Sequence, residues 1–225
     1  MPSYDLSRRL AAEALGTGFL VAAVVGSGIM AERLAGGNGA VALLCNTIPT
    51  GAVLFVIITI FLPLSGAHFN PAVSFVMMLR GELTRSETAA YMAAQIVGGC
   101  LGTIAAHLMF EVNTFQFSLH TRTGLPQWFA EFVATFGLLM TILGCVRFKP
   151  DAIPAAVGLY ITSAYWFTAS TSFANPAVTI ARSLSDTFSG IAPGDVPAFL
   201  AAQFLGAMVA ALLMRWLLKS RAAAA

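Results

Sequence analysis

The stretch FANPAVTIAR, residues 173–182, places an Asn-Pro-Ala triplet inside a strongly apolar chain. The same triplet occurs upstream in HFNPAVSF, residues 68–75, and a valine follows it in both places. Asn is a favoured N-cap and Pro a favoured first helical residue, so one triplet alone predicts only the start of a helix. Two identical triplets in matching surroundings predict a duplicated element.

The composition is that of an integral membrane protein. Hydrophobic residues make up 58% of the 225 residues and charged residues only 10%, which is too apolar for a soluble domain. A single membrane domain, residues 1–225, accounts for the whole chain. Apolar spans of about 20 residues predict six transmembrane helices, at roughly 10–31, 41–62, 87–110, 127–147, 151–169 and 195–218.

The first span follows Arg8 and Arg9, so a signal peptide is the alternative to a retained helix. Its apolar run is long and contains Glu13, which favours the retained helix. The three cysteines are scattered, and free thiols are expected rather than disulfides or a metal site. No catalytic residue, cofactor or metal is predicted, and nothing in the sequence indicates an enzyme.

The basic residues are distributed unequally between the two predicted sides of the membrane. Both termini share one side, which holds nine of the 12 Lys and Arg residues, and the other side holds three. Because cytoplasmic loops carry an excess of these residues, both termini are predicted to be cytoplasmic in a multi-pass protein of the cell (inner) membrane. The net charge of +2 thus reflects topology, and no nucleic-acid partner is predicted. The nine are Arg8, Arg9, Arg80, Arg85, Arg147, Lys149, Arg215, Lys219 and Arg221, and the three are Arg33, Arg122 and Arg182.

The two halves of the chain repeat three landmarks in the same order, which indicates a duplication. The repeat aligns Glu13 with Glu131 and Gln95 with Gln203. Each half has an odd number of spans, so the second copy enters the membrane from the opposite face and the repeat is inverted. Its limits are approximately 8–110 and 126–218. The matched stretches are AAEALGTGFLVAAVV (11–25) with FAEFVATFGLLMTIL (129–143), NPAVSFVMMLR (70–80) with NPAVTIARSLS (175–185), and AAQIVGGCLG (93–102) with AAQFLGAMVA (201–210).

With these features the chain resembles the major intrinsic protein family, the aquaporins and aquaglyceroporins. The resemblance extends over essentially the whole chain. It implies an all-α membrane channel of six transmembrane helices and two re-entrant half-helices, which would lie within 65–80 and 170–186. It also implies one pore in each subunit of a homotetramer in the lipid bilayer. The pore motifs would be Asn70, Pro71, Ala72, Asn175, Pro176 and Ala177.

The resemblance also assigns the pore centre. Half-helices that meet N-terminus to N-terminus each present roughly half a positive charge, which opposes cations and hydronium. Asn70 and Asn175 would cap them and turn amide N–H groups into the pore, where the oxygen of a passing solute accepts a hydrogen bond. The preceding loops would offer backbone carbonyl oxygens, which at this depth are tolerated only beside a wet cavity. The pore-lining loop residues would be Gly66, Ala67, His68, Phe69, Phe173 and Ala174.

Three ionisable residues in these segments have two interpretations each. His68 is expected to form pore wall or to pack within the loop, and a titrating gate is the alternative. Glu13 and Glu131 are intramembrane acids, which suggests function. We expect them to bind backbone donors of the loops, as the resemblance implies, and a proton relay is the alternative.

Val178 departs from the family pattern. Most members carry arginine directly after the second triplet, where it forms one wall of a narrow outer filter. Without that arginine and the usual aromatic residue, the filter is predicted to be wide and uncharged. A small shift in the fifth span would bring Ala164 or Tyr165 into the filter. By the family's spacing from each asparagine, the four filter positions are Thr50, Ser163, Ser172 and Val178.

Arg182 lies four residues after Val178, one helical turn further along the same face and about 6 Å outward. Two roles remain open for it. It could line the outer vestibule as a displaced cationic group, or it could pair with Asp186, its i+4 neighbour, and serve only the loop.

The expected function is that of a passive channel for small neutral solutes, namely glycerol, urea, some water, arsenite and methylated arsenicals. The arsenicals follow from a resemblance to bacterial aquaglyceroporin-like channels of arsenic-resistance gene clusters, which also lack the filter arginine. The alternatives are a water-selective aquaporin, a closed scaffold member of the family, and an ion-coupled secondary transporter, since broken helices in inverted repeats are also typical of transporters.

Overall fold

The computed structural model describes residues 4–219, which form eight α-helices and two 3-10 turns. In each half of the chain, two longer helices are followed by a short helix and then by another long one. This arrangement confirms the predicted fold class. The helices are α1 (Leu6–Leu34), α2 (Gly39–Ser65), α3 (Pro71–Leu79), α4 (Arg85–Met109), α5 (Leu125–Phe148), α6 (Ile153–Phe167), α7 (Pro176–Arg182) and α8 (Val196–Leu217), and the turns are Pro150–Ala152 and Pro193–Asp195.

Helix α6 is shorter than the span predicted at 151–169. Five described helices, α1, α2, α4, α5 and α8, are long and apolar enough to cross a membrane, whereas α6 has 15 residues. Pro150 begins the 3-10 turn before it, and the helix ends at Phe167. Together the turn and the helix reach roughly 28 Å, close to the about 30 Å thickness of a bilayer's hydrocarbon core.

The two short helices begin where the triplets predict. Asn70 and Asn175 have extended backbone, with φ of −156° and −157°, and the proline after each is the first helical residue. Asn70 Oδ1 accepts from the backbone N–H of Ala72 at 2.9 Å. Asn175 Oδ1 accepts from those of Ala177 and Val178 at 3.0 and 3.3 Å. An N-cap side chain and a proline that needs no partner for its nitrogen thus define both starts.

Glycines allow the long helices to approach closely at equivalent places in the two halves. A Cβ at Gly98 of α4 would collide with the backbone carbonyl oxygen of Ala14 in α1. A Cβ at Gly206 of α8 would collide with that of Phe132 in α5. Small residues are typical of contacts between membrane helices, which have no hydrophobic driving force of their own in lipid. The pairs α1–α4 and α5–α8 are therefore matching contacts.

The distribution of polar side chains is the reverse of that in a soluble protein. Phe19, Leu101 and Leu212 point outward and are 62%, 59% and 62% exposed. Fully buried positions in the interior of the bundle hold acids and amides, Glu13, Gln95, Glu131 and Gln203. A bundle whose apolar side chains face outward suits a hydrocarbon solvent.

Candidate functional site

A cavity of about 200 Å³ runs between the helices and past the starts of α3 and α7. Its wall has two chemically different parts. One part is formed by residues 66–70 and 172–175, which precede or begin the short helices. The other part is aliphatic, contributed by α1, α2, α5 and α6, and consists of Leu20, Val24, Leu54, Ile58, Leu62, Leu138, Ile142, Val146, Ile153, Val157 and Ile161.

The two capping asparagines join the loops to each other. Asn70 Nδ2 donates to the carbonyl oxygen of Ala174, and Asn175 Nδ2 donates to that of Phe69, both at 2.8 Å. The sequence predicted that loop carbonyls and both amides face the pore. Instead, these two carbonyls and one N–H of each amide are used in the cross-connection. The second N–H of each amide remains for the cavity, which both asparagines line.

Glu13 holds the first loop from behind. Its carboxylate accepts the backbone N–H groups of His68 and Phe69 at 3.0 and 2.7 Å. Ser65 Oγ and Gln95 Nε2 also donate to it, at 2.7 and 2.8 Å. Four donors to one buried carboxylate satisfy the group where water is absent.

Glu131 holds the second loop in the same way. Its carboxylate accepts the backbone N–H groups of Phe173 and Ala174, both at 2.9 Å, and Gln203 Nε2 donates to it at 2.6 Å. Neither Glu131 nor Glu13 lines the cavity. Both carboxylates are thus engaged with the loops and lie away from the path that a solute would take.

The loops need such support because their backbone is strained. Ala67 and Phe69 in the first loop have φ of 48° and 49°, and Ser172 and Ala174 in the second have φ of 52° and 49°. Non-glycine residues in this left-handed region cost on the order of 1–3 kcal/mol each. The backbone hydrogen bonds to Glu13 and Glu131 offset that cost, since they hold consecutive N–H groups of each loop in place.

His68 lines the cavity and also packs within the first loop. Its Nδ1 lies 3.1 Å from Ser74 Oγ, and its ring is tilted against Tyr91 with 5.4 Å between centroids. Tyr91 OH accepts from Arg9 Nε at 2.8 Å and donates to the carbonyl oxygen of Ser65 at 2.9 Å. The imidazole is therefore part of a packed network that connects α1, α4 and the first loop.

Three of the four predicted filter residues line the cavity, and one does not. Thr50, Ser172 and Val178 contribute to its wall. Ser163 is exposed on the outside of α6, and its Oγ donates to the carbonyl oxygen of Tyr160 at 2.8 Å. The prediction for Ser163 is wrong because its side chain points away from the cavity.

Tyr165 occupies the place predicted for Ser163. Its hydroxyl lies 3.3 Å from Thr50 Oγ1, and both residues line the cavity. The sequence spacing indicates that Tyr165 lines the cavity, because the lining residues of α6 occur at intervals of four. These residues are Ile153, Val157, Ile161 and Tyr165.

Arg182 lines the same cavity as Val178 and is buried, with 2% relative exposure. Of the two roles left open for Arg182, the pairing with Asp186 is absent from the described residues. Arg182 Nε donates to the carbonyl oxygen of Ser189, and Asp186 Oδ1 accepts from the backbone N–H of Leu119 at 2.8 Å. The cavity wall therefore includes a guanidinium, one helical turn beyond the uncharged Val178.

Two guanidinium groups approach the ring of Phe173, an arrangement that the sequence did not suggest. The guanidinium carbon of Arg182 is 3.4 Å from the centre of its ring and that of Arg122 is 5.0 Å away. Arg122 Nε and Nη1 donate to the carbonyl oxygens of Gly190 and Ser170 at 2.8 and 3.2 Å. Burial lowers the pKa of Arg122, and the nearby carboxylate of Glu131 acts in the opposite direction.

The described part of the chain offers no group of three His, Cys, Asp or Glu side chains that could hold a metal ion, and its three cysteines are free thiols. What the cavity offers chemically is an aliphatic wall, amide and backbone groups at the two asparagines, and a guanidinium with neighbouring hydroxyls near the end of α7.

Comparison with known proteins agrees with this architecture. The chain matches the family described as "Major intrinsic protein" over residues 1–152 and 147–225. It is 61% identical over 219 residues to the protein named aquaglyceroporin AqpS of Rhizobium meliloti (strain 1021), with 97% of this chain and 94% of that protein covered. Nodulin-26 of Glycine max is 32% identical over 144 residues, which covers 63% of this chain and 52% of nodulin-26.

A solved structure shares the fold. The X-ray structure of the aquaglyceroporin from Plasmodium falciparum is similar with a TM-score of 0.73 at 23% identity, covering 93% of this chain and 95% of that one. The two chains therefore share their overall fold.

Proposed function

The chain belongs to the major intrinsic protein family, and from this premise we propose that its cavity conducts glycerol, urea, undissociated arsenite and methylated arsenicals, with some water. Membership makes the protein a passive membrane channel for small neutral solutes and not an enzyme. The choice among neutral solutes depends on the residues that line the cavity.

The observation that carries the proposal is the small side chain of Val178 in the cavity wall. Most family members have arginine directly after the second triplet, and an isopropyl group leaves more open space there than a guanidinium does. Thr50 and Ser172 add short polar side chains to the same wall. These short side chains favour a filter that admits solutes larger than water.

The division of the cavity into a polar part and an aliphatic part supports polyols in particular. A polyol presents hydroxyl groups along one edge and carbon along the other, so it can replace lost hydration with bonds to the asparagine amides while its carbon contacts Leu, Ile and Val side chains. Such pores select by diameter and by the hydrogen-bonding groups that line them.

Two features oppose cations. The N-termini of α3 and α7 carry the positive ends of their helix dipoles, and the asparagine cross-connection holds both ends at one level of the cavity. Arg182 adds a full positive charge to the wall. A neutral solute crosses both without an electrostatic penalty of this kind.

A second candidate, a water-selective pore, has one observation in its favour. Tyr165 is an aromatic residue in the cavity wall, and its hydroxyl lies 3.3 Å from Thr50 Oγ1, which belongs to the same wall. An aromatic residue together with Arg182 could narrow the pore enough to exclude polyols.

For assembly and orientation, we propose a homotetramer in the cell (inner) membrane with both termini in the cytoplasm. The chain would be one domain of two inverted repeats, approximately 8–110 and 126–218. The outward-facing apolar side chains support a lipid-embedded bundle, and the unequal distribution of Lys and Arg supports the orientation. Of the basic residues that favour it, Arg221 lies outside the described residues.

Flux measurements on proteoliposomes test the proposal. Water, glycerol, urea and As(OH)3 are measured in parallel for the native protein and for Val178→Arg. We expect the native protein to pass all four and the variant to pass glycerol and As(OH)3 about tenfold more slowly, the effect of about 1.4 kcal/mol on a barrier. Water flux alone through the native protein would favour the second candidate, and uphill uptake driven by an ion gradient would contradict a passive channel.

A further inference from the structure

Arg182 places a guanidinium in the cavity wall, and most of its donors have no protein partner. The residue is 2% exposed and lines the cavity. Its Nε donates to the carbonyl oxygen of Ser189. Within residues 4–219, Nη1 and Nη2 make no hydrogen bond and the group forms no ion pair. A guanidinium has five N–H groups, so those on the two terminal nitrogens are left for whatever occupies the cavity.

Arg122 shows what a structural guanidinium looks like in the same region. It packs on the same ring, that of Phe173, but two of its nitrogens donate to backbone carbonyl oxygens, those of Gly190 and Ser170. It does not line the cavity. A guanidinium that only fastened the loop would be expected to bond in this way, and Arg182 does so through one nitrogen alone.

The orientation of the Arg182 guanidinium is well defined. It is stacked on the Phe173 ring at 3.4 Å from the ring centre. The ring of Phe173 packs edge-to-face with that of Phe199, with 5.3 Å between centroids. The backbone N–H of Phe173 donates to Glu131 Oε1 at 2.9 Å. A planar fork fixed on an aromatic face is suited to an acceptor with two oxygen atoms.

The neighbouring polar groups point to the same kind of ligand. Ser172 lines the cavity, and its Oγ is buried and has no hydrogen-bond partner in the described part of the chain. Among the described lining residues, the one acid is Glu82, which follows the far end of α3 and is ion-paired with Arg80 at 2.7 Å. The α7 end of the cavity thus has unused donors and a free hydroxyl, without a carboxylate to occupy them.

We propose that Arg182 is a relocated filter guanidinium, which with Ser172 forms a binding site at the α7 end of the cavity for neutral solutes that present two neighbouring oxygen acceptors. Vicinal diols and trihydroxides such as As(OH)3 are of this class. Urea, with a single oxygen, uses only part of the site. The inference rests on the proposed function, since it names the residues by which the channel prefers some neutral solutes over others.

The position of Val178 is consistent with this role. Val178 and Arg182 are four residues apart in α7 and both line the cavity, so they share a face of the helix. A second guanidinium at 178 would place two like charges at i and i+4, which repel. An uncharged residue at 178 therefore avoids charge repulsion with the guanidinium of Arg182 one turn later.

Competition between solutes tests the site. Urea flux into proteoliposomes is measured with increasing glycerol for the native protein, Arg182→Leu, Arg182→Lys and Arg33→Leu. Arg33 is the matched control, because it is an exposed arginine that lies outside the cavity wall. We expect glycerol to slow urea flux through the native protein. The glycerol concentration for half-inhibition is expected to rise about tenfold in Arg182→Leu, as for the loss of a charge-assisted hydrogen bond.

Arg182→Lys keeps the charge and loses the fork, so its half-inhibition concentration is expected to lie between those of the native protein and the leucine variant. Arg33→Leu is expected to match the native protein. If Arg182→Leu does not assemble, Arg182→Lys provides the test. A half-inhibition concentration for Arg182→Lys equal to that of the native protein then overturns the inference. No glycerol or urea flux through the native protein contradicts the proposed function itself. Flux without competition, or competition unchanged by Arg182→Leu, overturns only the binding site.

Discussion

The loop before α3 and the loop before α7 share one hydrogen-bonded frame. In both, a buried carboxylate accepts two consecutive backbone N–H groups and a glutamine amide. The same glutamine nitrogens donate to a hydroxyl four residues after each capping asparagine, Ser74 at 2.9 Å and Thr179 at 2.8 Å. The frame is therefore a property of the duplicated unit and serves both halves.

The side chains around the frame differ. In the first loop, Ser65 adds a fourth donor to Glu13, and Tyr91 fastens the carbonyl oxygen of Ser65. In the second loop, Phe173 carries two guanidinium groups on its faces and Arg182 reaches the cavity. The shared frame thus shapes the pore in both halves, whereas the groups that we propose to discriminate among solutes belong to one half.

Loss of a carboxylate from the frame, that of Glu13 or Glu131, is expected to lower stability most. In Glu13→Gln the amide NH2 group faces backbone N–H donors, so part of the frame is left unsatisfied, at a cost of about 4 kcal/mol. Glu131→Gln is expected to cost about 3 kcal/mol, because Glu131 has three donors where Glu13 has four. Thermal unfolding in detergent measures both, and a larger loss for Glu131→Gln would contradict the ranking.

Alanine at the helix-contact glycines is expected to have the next largest effect, and an equal one in both halves. Gly98→Ala and Gly206→Ala each place a Cβ against a backbone carbonyl oxygen of the facing helix, which costs about 3 kcal/mol through overpacking. Gly39→Ala is the matched control, because nothing lies within 4 Å of a Cβ there. Unfolding midpoints of the three variants give the comparison, and a stable Gly98→Ala with an unstable Gly206→Ala would show that the two contacts are not equivalent.

The capping asparagines are expected to differ moderately. Asn175→Ala loses two capping bonds and Asn70→Ala loses one, while both lose the bond to the opposite loop. We expect losses of about 2 and about 1.5 kcal/mol respectively. Unfolding in detergent measures stability, and proton leak into proteoliposomes reports the state of the pore centre. Equal stability losses would mean that the bond to the opposite loop contributes more to stability than the capping bonds do.

The smallest effect is expected at Tyr165, whose hydroxyl meets Thr50 at 3.3 Å. Tyr165→Phe removes a long hydrogen bond and keeps the ring, so stability should change by less than about 1 kcal/mol. Glycerol flux should stay within about twofold of the native value if the ring sets the pore width. A large rise in glycerol flux would instead assign the barrier to the hydroxyl.

The frame could be predicted from the sequence because it repeats. The aligned pairs, Asn70 with Asn175 and Glu13 with Glu131, occur in equivalent positions of two half-chains, and the contacts of each follow from helix starts and intramembrane acids. The structure adds the bonds between the halves. These could not be predicted, since 104 and 106 residues separate their partners.

The errors arose where a regular spacing was extended past the end of a helix. The spacing that relates Ser163 to Asn175 crosses the irregular segment between α6 and α7, and an error of two residues on a helix turns a side chain by about 200°. The i+4 rule that paired Arg182 with Asp186 holds only inside a helix, and α7 ends at Arg182. The contacts of Arg122 with Ser170 and Gly190 could not be predicted, because they depend on the path of a loop.

The bonds exchanged by Asn70 and Asn175 also set an order of assembly. Residues 68–75 leave the ribosome long before residues 173–182, and until the later stretch inserts, Asn70 Nδ2 and the carbonyl oxygen of Phe69 lack the partners that they have in the complete chain. Domains form as their chain is synthesised, N-terminal parts first. The centre of the pore is therefore completed only when the second half docks on the first.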